Sequence, residues 1–81
     1  MKMIEVTATY GLIGGNAYDK TLRRKYPHLA AVEANRLIKE EDVSDVVVVQ
    51  SGATNYHLQK VYSEETGTYK VLRHVQRLTT L

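Results

Sequence analysis

Ile4, Val6, Ala8 and Tyr10 alternate with Glu5, Thr7 and Thr9, so Met3 to Tyr10 reads as a strand with one buried face. Gly11-Leu12-Ile13-Gly14-Gly15-Asn16 follows, a glycine-rich loop that can take positive φ and reverse the chain. Tyr18, Leu22 and Tyr26 then recur every four residues, which fits a strand or a helix equally. Pro27 separates the two: it holds Tyr26 extended and suits the first turn of a helix. The reading is therefore a second strand over Ala17–Lys25 and a helix from Pro27, with a short helix over residues 19–26 as the alternative. From His28 to Glu41, Ala30, Ala31, Ala34, Leu37 and Ile38 form one apolar stripe whose small side chains suit close packing on a sheet.

Val46-Val47-Val48-Val49 has no alternation and is β-branched throughout, the mark of a strand inside a sheet; the strand is expected over Val46–Gln50. Ser51 to Asn55 reads as a turn, Tyr56–Ser63 as a strand, Glu64 to Gly67 as a tight turn and Thr68–Arg77 as the last strand. The order is β-β-α-β-β-β, an α+β fold with one helix packed on a small antiparallel sheet. No repeat or linker divides the chain, so residues 1–81 are taken as a single domain. The register of the last hairpin stays open: one register places His57 opposite His74, the other opposite Val75.

Composition narrows the function classes. The chain is 43% hydrophobic and 25% charged, as in an ordinary globular domain, but its 81 residues leave a thin core. It contains no cysteine, which excludes disulfides, thiolate metal sites and thiol nucleophiles and suits a reducing cytoplasm. Glu5 interrupts the first apolar run too early for a signal peptide, and no run of about 18 apolar residues exists. A soluble, cytoplasmic protein with no membrane partner is expected.

The net charge of +2 matters less than its placement. Lys20, Arg23, Arg24 and Lys25 cluster before the helix, while Lys60, Lys70, Arg73 and Arg77 lie on the last two strands, and no acid follows Glu65. Glu40, Glu41, Asp42 and Asp45 form an acidic knot between them. It opposes the dipole of a helix running to Glu41 and offers a second, opposite patch to a basic partner or another copy.

Four candidate chemistries can be weighed. Gly11-Leu12-Ile13-Gly14 matches a bare GxxG phosphate clamp, yet it follows a strand and carries apolar middle residues, which favours a hairpin loop. His28, His57 and His74 lack helical metal-ligand spacing; only a His57–His74 cross-strand pair could make a site, and no third ligand is identifiable. The serines Ser44, Ser51 and Ser63 sit in no nucleophile motif, so no catalytic residue, metal or cofactor is assigned and a non-enzymatic protein is expected. The strongest candidate is a basic, tyrosine-rich surface of Lys20, Arg23, Arg24, Lys25, Lys60, Lys70, Arg73 and Arg77. Tyr18, Tyr56 and Tyr62 would be its anchors, since the six tyrosines are the only aromatic residues.

The two opening strands, the helix Pro27–Glu41 and the strands Val46–Gln50, Tyr56–Ser63 and Thr68–Arg77 resemble small bacteriophage-encoded proteins, among them anti-CRISPR proteins and inhibitors of host RNA polymerase. The resemblance rests on size and element order and carries over no individual residue. It implies a protein that occupies a surface of a host protein or nucleoprotein complex and blocks it. The alternative is a small domain that binds DNA or RNA directly through the same basic face. Leu78-Thr79-Thr80-Leu81 could also extend an edge strand toward a second copy, giving a homodimer.

Overall fold

A computed structural model describes residues 3–50 and 55–76. The elements are β1 (Ile4–Tyr10), β2 (Tyr18–Arg24), α1 (Pro27–Ile38), β3 (Val43–Val49), β4 (Asn55–Ser63) and β5 (Thr68–Gln76). The strands form one antiparallel sheet in the order β2-β1-β3-β4-β5. This is the expected α+β arrangement, with the helix linking β2 to β3 across the face of β1. Residues 17–26 contain a strand rather than the alternative short helix. Tyr26 is extended (φ −117°, ψ 141°) ahead of Pro27, the geometry proline imposes on its predecessor.

The core lies between α1 and the middle of the sheet. Ala30, Ala34, Leu37 and Ile38 meet Ile4, Val6 and Ala8 of β1, Val43, Val46 and Val48 of β3, and Leu58 of β4. Val6, Val43, Val46 and Val48 are fully buried, each contributing about 1.5–3 kcal/mol of transfer free energy. Ala30 and Ala34 present only methyl groups, which lets the helix sit close to β1 and β3.

Two boundaries differ from expectation by three residues, and they are linked; the others shift by one residue at most. The helix ends at Ile38 instead of Glu41, and β3 begins at Val43 instead of Val46. Lys39 N–H and Glu40 N–H bond to the carbonyls of Arg36 and Leu37, tightening the chain into three-residue turns, and Val43 N–H closes another turn onto Glu40. The acids thus fall past the helix, so the expected clash with its dipole does not arise; Arg36 occupies the last turn instead. The early start of β3 lets Val43 pair with Tyr10 across an irregularity between Thr9 and Tyr10.

The last hairpin has a four-residue loop, Glu64–Gly67, with Gly67 at φ 68° and its N–H on the Ser63 carbonyl. Ser63 therefore pairs with Thr68, and the open choice of register resolves to His57 opposite His74. The turn over residues 51–54, Arg77 and the Leu78–Leu81 tail lie outside the described residues.

Candidate interaction faces

Register and pleat together assign every strand residue to a face. On the helix side lie Tyr18, Lys20, Leu22 and Arg24 of β2, Tyr56, Leu58, Lys60 and Tyr62 of β4, and Tyr69, Val71, Arg73 and Val75 of β5. The open face carries Arg23 of β2, Val47 and Val49 of β3, His57, Gln59 and Val61 of β4, and Lys70, Leu72 and His74 of β5. The sheet thus divides the basic residues between its two faces. Lys20, Arg24, Lys60 and Arg73 are on one side, Arg23 and Lys70 on the other, and Lys25 follows the end of β2. All three proposed tyrosine anchors are on the helix side.

Several of these cations already have partners. Arg23 pairs with Glu5 (3.3 Å) and Arg24 with Glu33 (3.3 Å), while Lys60 Nζ donates to the Glu40 carbonyl. Arg36 also bonds Glu33, and its hydrogen bond, ahead of that from Arg24, holds the Glu33 carboxyl below its ordinary range. Burial pulls the Lys60 ammonium below the usual lysine range despite the nearby acids. Lys20 lies over the stacked rings of Tyr10 and Tyr18, 5.2 and 5.9 Å from their centroids, and the Arg73 guanidinium sits 4.6 Å from the Tyr56 centroid. Desolvation raises the Tyr56 hydroxyl above the ordinary tyrosine range.

The acidic knot is built into the fold rather than displayed as one patch. Glu40 accepts the Tyr10 hydroxyl at 2.7 Å, and Asp45 accepts from Ser44 Oγ and His57 Nε2, each at 2.7 Å. Asp42 gathers the amides of the glycine loop: its carbonyl accepts from Gly11 and Leu12, and its carboxylate accepts from Ile13 (2.9 Å) and Gly14 (3.3 Å). The Ile13 amide, helped by those of Gly14 and Gly11, draws the Asp42 carboxyl below its ordinary range. The GxxG amides that could have cradled a phosphate therefore hold a carboxylate of the protein itself.

Ser44, Asp45 and His57 form a hydrogen-bonded chain, but the hydroxyl donates to the carboxylate and not to the imidazole. That order gives the imidazole no hydroxyl to activate. A shallow pocket of about 190 Å³ beside it, lined by Val47, Val49, Asn55, Tyr56 and His57, is smaller than the roughly 300 Å³ at which ligand pockets begin.

Among the described residues, exposed apolar side chains gather on the β4–β5 hairpin. The helix packs mainly on β1 and β3 and only lightly on β4. Tyr62 (53% exposed), Tyr69 (50%), Val71 (49%) and Val75 (54%) consequently face solvent on the helix side, with Tyr62 and Tyr69 edge to face at 5.3 Å. Val61 and Leu72 are exposed on the opposite side. Of these positions the sequence singles out only Tyr62; Tyr69, Val71 and Val75 are missed there because the register of the hairpin and the reach of the helix are both open.

The geometry defines an α+β protein with a one-helix layer and, among the described residues, a sheet that ends at β5. No known protein family matches the chain, and neither a curated protein nor a solved structure shows significant similarity to it. No helix among the described residues is long and apolar enough to cross a membrane.

Proposed function

We propose that this protein is a non-enzymatic interaction module that docks on a protein partner through the helix side of the β4–β5 hairpin. The observation that carries this reading is the cluster of Tyr62, Tyr69, Val71 and Val75, all half-exposed, with Arg73 among them and no acidic residue on β5. Aromatic and aliphatic anchors around an arginine are the composition of an interface core. The matching partner surface is apolar and acidic. Following the resemblance to small phage-encoded inhibitors, docking acts by occupying a working surface of a host protein or nucleoprotein complex.

Direct binding to DNA or RNA is the second reading, and the basic surface favours it less. A phosphate track needs consecutive cations on one face, whereas these are split between two, with Arg23 and Arg24 paired to glutamates.

The test compares the protein with a Tyr69→Ser/Val71→Glu variant whose thermal melt matches it. The expected result is a defined protein bound by the parent and lost by the variant, with titration of the isolated partner giving at least tenfold weaker affinity, about 1.4 kcal/mol. Equal affinity for parent and variant removes the hairpin from the interface. Titrations against duplex DNA, single-stranded DNA and RNA at two salt concentrations give the other outcome: tight binding whose log affinity falls linearly with log salt replaces the protein partner with nucleic acid. A concentration-dependent dimer that the variant abolishes makes the partner a second copy.

A further inference from the structure

On the open face, away from the proposed docking surface, the hairpin register sets His57 and His74 opposite each other. Their ring centroids are 5.7 Å apart, with the planes inclined by 36°. Both imidazoles have the same nitrogen engaged. His57 Nε2 lies 2.7 Å from Asp45 Oδ1, and His74 Nε2 lies 3.2 Å from Gln59 Oε1. A carboxylate oxygen and an amide oxygen can only accept, so in each neutral ring the proton sits on Nε2 and the lone pair on Nδ1. Ser44 Oγ, donating to the other oxygen of Asp45, fixes that carboxylate in turn. An imidazole whose N–H is held by a carboxylate or carbonyl oxygen, leaving its second nitrogen basic, is the arrangement that orients histidines on metals.

We propose that His57 and His74 form a two-imidazole site for a borderline-soft divalent cation of the copper, nickel and zinc class, bound through the two Nδ1 atoms. With metal–nitrogen bonds of about 2.0–2.1 Å, two imidazoles on one cation have centroids about 4.5–5 Å apart. The observed separation is within about 1 Å of that, and neither ring is fully buried: His57 is half-buried and His74 exposed. Among the described residues no three His, Asp or Glu side chains converge on a common point, so the protein contributes two ligands and water completes the shell. The negative charge of Asp45 behind His57 strengthens that ring as a donor. Imidazole ligands with open coordination positions follow the usual order of the series, so Cu²⁺ is the tightest probe.

The test is titration of the full chain with Cu²⁺ at pH 7.5, with the ligand set read by electron paramagnetic resonance. The expected result is one ion per chain with two imidazole nitrogens bound. His57→Gln and His74→Gln should each weaken it by more than about tenfold, while His28→Gln leaves it unchanged. Nitrogen NMR of the unmodified protein gives a readout independent of variant folding: Zn²⁺ should move the Nδ1 resonances of both rings together. A spectrum with one imidazole, equal affinity in His57→Gln or His74→Gln, loss in His28→Gln, or Zn²⁺ shifts confined to one ring would overturn the site.

Discussion

Tyr10 shows how single side chains lock the end of the sheet to the end of the helix. Its hydroxyl donates to Glu40 across thirty residues of sequence, its ring stacks on Tyr18 at 5.1 Å, and Lys20 caps the stack. The hydrogen bond to Glu40, with help from desolvation and the glutamate's charge, raises the Tyr10 pKa to about 12. An acid whose folded pKa lies above its unfolded value of about 10 stabilises the fold below pH 10, and that contribution is lost as pH rises from 10 toward 12. Absorbance titration of the phenolates should therefore show one of the six tyrosines ionising near pH 12, a step that Tyr10→Phe removes. Amplitude lost from the parent's step near pH 10, with nothing removed near pH 12, would show that the bond does not persist in solution. Nothing in the sequence pairs Tyr10 with Glu40, or Asp42 with the Gly11–Gly14 amides. Alternation placed Tyr10 on the buried face correctly, but partners so far apart depend on where the helix ends, and periodicity is weakest at ends.

At the scale of elements, the strands and the helix were legible because their burial is periodic, while the boundaries were set by side chains in the turns. Val43 offered no alternation to mark it as strand, since Ser44 and Asp45 lie between it and the valine run. It joins β3 because Asp42 binds the glycine loop just before it. The division of the basic residues follows from the strand reading itself: Arg23 and Arg24 are neighbours in β2 and therefore on opposite faces. The loop that Asp42 holds depends on Gly11. It has φ 108°, and a Cβ there would come within 2.7 Å of the Asn16 carbonyl oxygen and 2.8 Å of Ala17 Cα. Gly15 also has positive φ, at 83°, but a Cβ at that position meets nothing within 4 Å. Gly11→Ala carries backbone strain of about 1–3 kcal/mol plus the overlap, whereas Gly15→Ala carries the strain alone. Denaturant melts should rank the parent above Gly15→Ala and Gly15→Ala above Gly11→Ala; equal midpoints for the two variants would mean the loop relaxes around the new methyl group.

Across the whole molecule, packing is uneven in one direction. The described residues extend 41 Å along the longest axis and 24 Å across it, and the core occupies the β1–β3 part with Leu58 as its one contribution from the hairpin. Every β5 residue from Thr68 to Val75 is exposed, and none belongs to the core. β5 is held by its backbone pairing to β4 and by cross-strand contacts such as Tyr62 on Tyr69, interactions worth about 0.2–1 kcal/mol each. β1 and β3, by contrast, cannot separate without exposing the buried valines and the alanine face of the helix. Opening of the hairpin should therefore cost less than global unfolding. In native-state hydrogen exchange, the β5 amides bonded to β4 should show lower opening free energies than those between β1 and β3, and should depend less steeply on denaturant. Uniform exchange across the sheet would mean that the hairpin unfolds only with the core. The same unevenness bears on both proposals, because an incompletely buried hairpin gains most from what binds it. A partner on the Tyr69 face should slow exchange in β5, and a cation bridging His57 and His74 should slow it too, by tying the two strands across the sheet's outer edge.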